Sequence, residues 1–188
     1  MHAAPEPVVP LDAPLVAAAR RGDRAAFGAL YRRHARLVQA VLLARVAPDA
    51  VADLVQDVFL LAMDRLRTLR DDAAFAPWLA TIARRRAADW RRRRRDTVPL
   101  EQAAPELATS DDEPGKALGA RAAMEAIRSL PEAYRETLLL RFLAGLSGPE
   151  IAARTGLTHG SVRVNLHRGV AMLRERLRDE LPEGGRDA

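Results

Sequence analysis

Three observations predict an all-α protein of two small helical domains joined by an acidic flexible linker. Apolar residues recur at three- and four-residue spacings in both halves of the chain, and no alternating strand pattern of useful length interrupts them. Hydrophobic residues make up 48% of the chain but aromatics only 4%. Its cores must therefore come from Ala, Leu and Val, which suits packed helices better than sheets. Charge is also segregated along the 188 residues. Residues 1–95 carry 18 basic against 10 acidic side chains, 96–115 none against six, and 116–188 12 against nine, for a total of +5. A uniformly basic solvated surface would not divide in this way.

In the first half, Pro14 opens a short helix through Arg21, broken at Gly22. Asp23 caps a long helix that carries Phe27, Leu30, Tyr31, Leu37, Val41 and Leu42 to about Val46. Pro48 and Asp49 start a third, with Val51, Leu54, Val55, Val58, Phe59, Ala62 and Leu66 along its apolar stripe. The fourth spans 75–95. At 100° per residue, Phe75, Trp78, Leu79, Ile82, Ala83 and Trp90 share one face, and Arg84, Arg91 and Arg95 lie opposite. Arg86 and Arg93 point back toward the core side. The full run Arg91 to Arg95 faces every direction, so it must project into solvent or onto something negatively charged.

The stretch "DTVPLEQAAPELATSDDEPG" has three prolines and no helical stripe, and reads as an extended linker at 96–115. The expected plan is a disordered end at 1–12, a helical domain at 13–95, the linker, a second domain at 116–181 and a frayed tail at 182–188. In the second domain one helix ends near Leu130, another runs from Pro131 to Leu143, and a long one runs from Thr158 to Leu181.

Between the last two lies the most specific motif, "LSGPEIAARTGLTHGSVRVNLHRG". Ser147 and Glu150 have capping-box form, Ile151 and Ala152 turn inward, and Gly156 supplies a permissive backbone between two steeply crossed helices. This is a helix-turn-helix. Its second helix buries Val162, Leu166, Val170, Leu173 and Leu177, and presents Arg163, Val164, His167 and Arg168 off that stripe near its N-terminal end, the part that enters a major groove. Arg163 and Arg168 suit guanine edges or phosphates, and Val164 suits a thymine methyl.

Other classes are disfavoured. There is no cysteine, which removes disulfides, Cys-bearing zinc sites and thiol redox sensing. The histidines His2, His34, His159 and His167 have no metal-like spacing with carboxylates, and no phosphate loop or nucleophile elbow occurs. The chain is therefore expected to be no enzyme and to need no cofactor. No signal peptide is read at the start, and the longest uncharged apolar run, "LVQAVLLA", is far below the roughly 20 residues of a membrane span. A soluble cytoplasmic protein is expected.

At these residues the chain resembles the extracytoplasmic-function (ECF) sigma factors of bacteria. "DLVQDVFLLA" and "FAPWLATIARRRAADWRRR" are similar to the region-2 domain; "LPEAYRETLLLRFLAGLSGPEIAARTG" and "GSVRVNLHRGVAMLRERL" are similar to region 4. The resemblance implies a protein that joins core RNA polymerase and directs it to promoters. It implies that Asp53, Gln56 and Asp57 contact the polymerase clamp, and their spacing puts them on one helical face. It assigns Trp78, Arg84, Arg91, Arg92, Arg94 and Arg95 to the minus-10 element and Ser161, Arg163, Val164, His167 and Arg168 to the minus-35 element. Spacing alone favours core packing for Trp78 over base stacking. Arg85 stands where the family often has asparagine, and Val164 replaces a more usual small polar residue. The resemblance further implies a cognate anti-sigma factor that clamps the two domains, and an acidic linker able to occupy a basic nucleic-acid channel. The main alternative is a stand-alone helix-turn-helix repressor or activator, whose other domain would have no need of an arginine-rich helix.

Overall fold

The computed structural model describes residues 12–97 and 114–180, with side chains described for 12–94 and 122–178. The expected N-terminal end apart from Asp12, most of the acidic linker and the tail beyond residue 180 lie outside the described residues. Among those described, every regular element is helical, and no helix is long and apolar enough to cross a membrane.

The first domain has four α-helices. Helix α1 (Ala13–Arg20) has proline in its first turn and ends before Gly22, whose φ of 98° turns the chain. Asp23 then caps α2 (Arg24–Leu43), accepting from the Ala25 and Ala26 amides at 2.8 and 3.0 Å. A 3₁₀ turn at Pro48–Ala50 leads into α3 (Val51–Arg65), and another at Asp72–Ala74, capped by Asp71, leads into α4 (Phe75–Thr97). The expected third helix thus begins with a tighter turn, and α2 stops about three residues short of Val46. Arg20 ties α1 to the start of α4, donating to Asp72 at 2.6 Å and to the Leu69 carbonyl at 2.8 Å.

The helical stripes meet as their spacing requires. Leu30, Val38, Val41 and Leu42 of α2, Val58 and Ala62 of α3, and Phe75, Leu79 and Ala83 of α4 are fully buried. Burying a large aliphatic or aromatic side chain stabilises by about 1.5–3 kcal/mol each, so this interdigitated core is the main source of the domain's stability. Trp78 and Trp90 are half-buried at its edge.

The second domain consists of α5 (Pro114–Ser129), α6 (Glu132–Phe142), α7 (Gly148–Thr155) and α8 (His159–Glu180). Five consecutive residues of α6, Glu136 to Leu140, are buried. No single helical face holds five neighbours, so α6 is covered from more than one side. Helix α8 lies against one side and α2 of the first domain against another, while α7 packs on α4. The apolar core is continuous from the first domain into the second. The two domains are therefore packed together in this form of the chain.

Candidate nucleic-acid interface

The turn between α7 and α8 is built from local chemistry. The Ser147 hydroxyl accepts from the Glu150 amide, and the Glu150 carboxylate takes the Ser147 amide at 2.8 Å and its hydroxyl at 2.7 Å. Those hydrogen bonds to Ser147 hold the Glu150 carboxyl below the usual glutamate range, against a smaller opposing effect of burial and with help from Arg154. Gly156 closes α7 in the left-handed region (φ 76°), and its N–H reaches the Ala152 carbonyl. The Thr158 hydroxyl then accepts from the Ser161 amide at 3.1 Å and bonds the Ser161 hydroxyl at 2.9 Å. Ser161 is thus part of the cap that starts α8.

This start aims α8 outward. Val162 is buried at 1% exposure, whereas Val164 is 46% exposed. Arg163, Val164, His167 and Arg168 together line one shallow hollow of about 340 Å³. Among the described residues, Arg163 and Arg168 have no ion-pair or hydrogen-bond partner. Two uncommitted guanidiniums flanking an exposed valine at the N-terminal half of a recognition-type helix form a surface suited to an anionic, groove-bearing ligand.

The α4 residues are placed less uniformly. Trp78 sits with its ring 5.9 Å from that of Phe75, at the rim of the core. Arg84 does point away from the first domain's core, but the second domain fills that direction. Its Nε and Nη2 donate to Glu136 at 3.0 and 2.8 Å, and Nη2 also donates to the Arg154 carbonyl at 2.9 Å. Arg91 lies 3.5 Å from Glu132. Arg92 pairs with Asp89, and Arg94 lies over the Trp90 ring at 5.1 Å. The Arg95 side chain lies outside those described. Arg86, which the helical spacing turned toward the core side, pairs with Asp57.

On α3, Asp53 and Gln56 are exposed and Asp57 is half-exposed beside Arg86. The same face carries two residues that periodicity alone had not singled out. Leu60 and Met63 are 61% and 52% exposed and border an apolar hollow with Phe27, Tyr31, Gln56 and Phe59. The available signal was their position off the buried stripe of an otherwise regular amphipathic helix. Also unanticipated was Glu136, whose signal was a carboxylate immediately before an apolar run, "ETLLLRFL".

Comparison with known proteins agrees with both halves of the molecule. Residues 30–97 match the family Sigma-70 region 2, and residues 120–173 match Sigma-70, region 4. The ECF RNA polymerase sigma factor SigF of Caulobacter vibrioides is 41% identical over 135 residues, covering 70% of this chain and 73% of SigF. The probable RNA polymerase sigma factor RfaY of Xanthomonas campestris pv. campestris is 36% identical over 170 residues, 85% of this chain but 42% of RfaY. The solved structure of CnrH, in complex with the cytosolic domain of CnrY, is similar with a TM-score of 0.66 and 28% identity, over 90% of this chain and 99% of that one. With helix-turn-helix, basic α4 and acidic α3 face all set in that framework, the chain belongs to the ECF group of RNA polymerase sigma factors, the non-enzymatic proteins that direct promoter-specific transcription initiation.

Proposed function

We propose that this sigma factor docks on core RNA polymerase through α3 and grips promoter DNA at two places. Helix α8 reads the minus-35 element with Arg163, Val164, His167 and Arg168, and Ser161 holds the N-terminal turn of that helix in register. Helix α4 supports the melted minus-10 strand with Trp78, Arg84, Arg91, Arg92, Arg94 and Arg95. Asp53, Gln56 and Asp57 form the polar part of the polymerase contact, with Leu60 and Met63 as its apolar continuation. The two functional units are 13–95 and 116–181, and 96–115 is an acidic connector suited to a basic channel of polymerase. The protein acts in the cytoplasm, and a cognate anti-sigma factor is its expected regulator; CnrH, a solved relative, was captured with the cytosolic domain of CnrY.

The observation that carries this reading is the exposed cluster on α8, with its two unpaired guanidiniums, opposite a helix face that closes the second domain's core. Purified chain added to bacterial core polymerase should give promoter-dependent transcripts. Arg163→Ala or Arg168→Ala should lower promoter affinity of that holoenzyme by about 1–3 kcal/mol if the side chain holds a guanine. Tight binding of the chain alone to a palindromic duplex, with no transcription, would instead establish the stand-alone repressor.

A further inference from the structure

We propose that Gly160 and Val164 form an apolar notch on α8 that seats the 5-methyl group of one thymine in the minus-35 element, fixing an A·T pair at that position. The inference rests on the reading of α8 as the helix that enters the major groove there. At 100° per residue, residues 160, 164 and 167 lie within about 60° of one another on the outward face. Arg163 falls on one edge of that face, and Arg168 and Ser161 on the other. Val164 is 46% exposed, although Val162 two residues earlier is buried. Gly160 is exposed as well, and its backbone is not left-handed. A Cβ at this position would meet only Thr158 Oγ1, at 3.8 Å. Neither conformation nor packing within the chain therefore calls for glycine at 160, where alanine would favour the helix. What the missing side chain provides is clearance on the face that meets DNA.

The chemistry of the notch selects its occupant. Helical Cα–Cβ bonds tilt toward the N-terminus, so the Val164 side chain leans over the space that a side chain at 160 would fill. The recess has an apolar wall, and neither Gly160 nor Val164 brings a side-chain donor or acceptor to it. In the major groove, guanine, adenine and cytosine present hydrogen-bonding groups, and thymine alone among the bases adds a methyl. An apolar recess leaves a donor, an acceptor or a phosphate desolvated without a partner, but gains by covering a methyl. A hydroxyl side chain at 164 would accept several base edges, and valine narrows that choice. Arg163 and Arg168, without ion-pair or hydrogen-bond partners among the described residues, bracket the recess. They are placed to take guanine edges or phosphates on either side of the thymine. Both share one hollow of about 340 Å³ with Val164 and His167, so the methyl seat and the polar contacts belong to a single base-reading surface.

The test uses holoenzyme made from the full chain and bacterial core polymerase, and a DNA duplex library randomised across both promoter elements. Selection should fix a thymine at one minus-35 position. In the selected promoter, deoxyuridine at that position removes only the methyl and should weaken holoenzyme binding about fourfold, the worth of one buried methyl-sized group. Val164→Ala should lose most of that difference. Gly160→Ala should reverse it, because the added methyl fills the recess. Thymine promoter is then bound more weakly than by the parent, and deoxyuridine restores part of the loss. The ratio of the two promoters is internal to each variant, so a folding defect lowers both affinities alike and leaves the reversal readable. A parent indifferent to the methyl at every minus-35 thymine would overturn the notch alone. So would a full methyl preference in Val164→Ala, or a Gly160→Ala loss equal on both promoters. Holoenzyme that selects no minus-35 sequence would overturn the reading of α8, and the notch with it.

Discussion

At residue scale, the clearest dependence on a single group is the Ser147–Glu150 box. Each side chain satisfies an amide that the first turn of α7 would otherwise leave open. Ser147→Ala should cost about 1 kcal/mol of second-domain stability, read from thermal or urea unfolding. Because the folded chain favours the Glu150 carboxylate, the box contributes fully above the usual glutamate range and is lost as pH falls through the lowered value. Acidification should therefore lower the hydrogen-exchange protection factor of the Ser147 amide, taken relative to the intrinsic rate at each pH, in the parent chain more than in Glu150→Gln, which has no carboxylate to titrate. The serine, the glutamate and their spacing are all visible in the sequence, and the capping geometry needs nothing beyond them. Trp78 is different. Its helical phase favours core packing over base stacking, and the structure places it half-buried at the core's rim, its ring 5.9 Å from that of Phe75.

At the scale of elements, α4 and α8 show how far periodicity reaches. The bounds and buried stripe of α4 follow from spacing, but its arginines divide according to neighbours that spacing does not include. Arg92 and Arg94 are engaged within α4 itself, by Asp89 and Trp90, and those partners give way more readily than a buried carboxylate. Replacing Arg91 to Arg94 with alanine should weaken open-complex formation. It should also reduce its log–log salt dependence by roughly 0.7 for each single-strand phosphate that is no longer neutralised. A salt slope equal to the parent's would make the run a solvated surface. Helix α8 depends on a different element-level fit. A Cβ at Gly169 would stand 3.2 Å from Leu138, which is fully buried on α6. Gly169→Ala should be close to neutral, because about 1 kcal/mol of helix propensity offsets the crowding. Gly169→Val should cost about 1–3 kcal/mol by pushing α8 off α6. Thermal unfolding of the two variants would separate these outcomes.

At the scale of the whole molecule, the packing of α6 and α7 on the first domain decides what each surface can touch. A buried carboxylate between two arginines is a poor source of net stability but is costly to break on one side, by roughly 3–5 kcal/mol, because the remaining charges stay desolvated. Glu136→Gln should therefore lower the thermal unfolding midpoint more than Glu132→Gln, whose carboxylate is half-exposed. Glu136 meets Arg84 and Arg45 across 52 and 91 residues of sequence, and no window of helical periodicity spans them.

Local sequence is enough to specify the helices of both domains, their caps, the helix-turn-helix and the outward face of α8. Each depends on residues within a few turns of one another, where spacing and side-chain type suffice. Three features needed the packed chain: Arg84 meets Glu136 rather than solvent, Asp57 is shared with Arg86, and Leu60 and Met63 remain uncovered. The reason is physical: helical phase states which way a side chain points, and the packing of distant segments states what is there when it arrives.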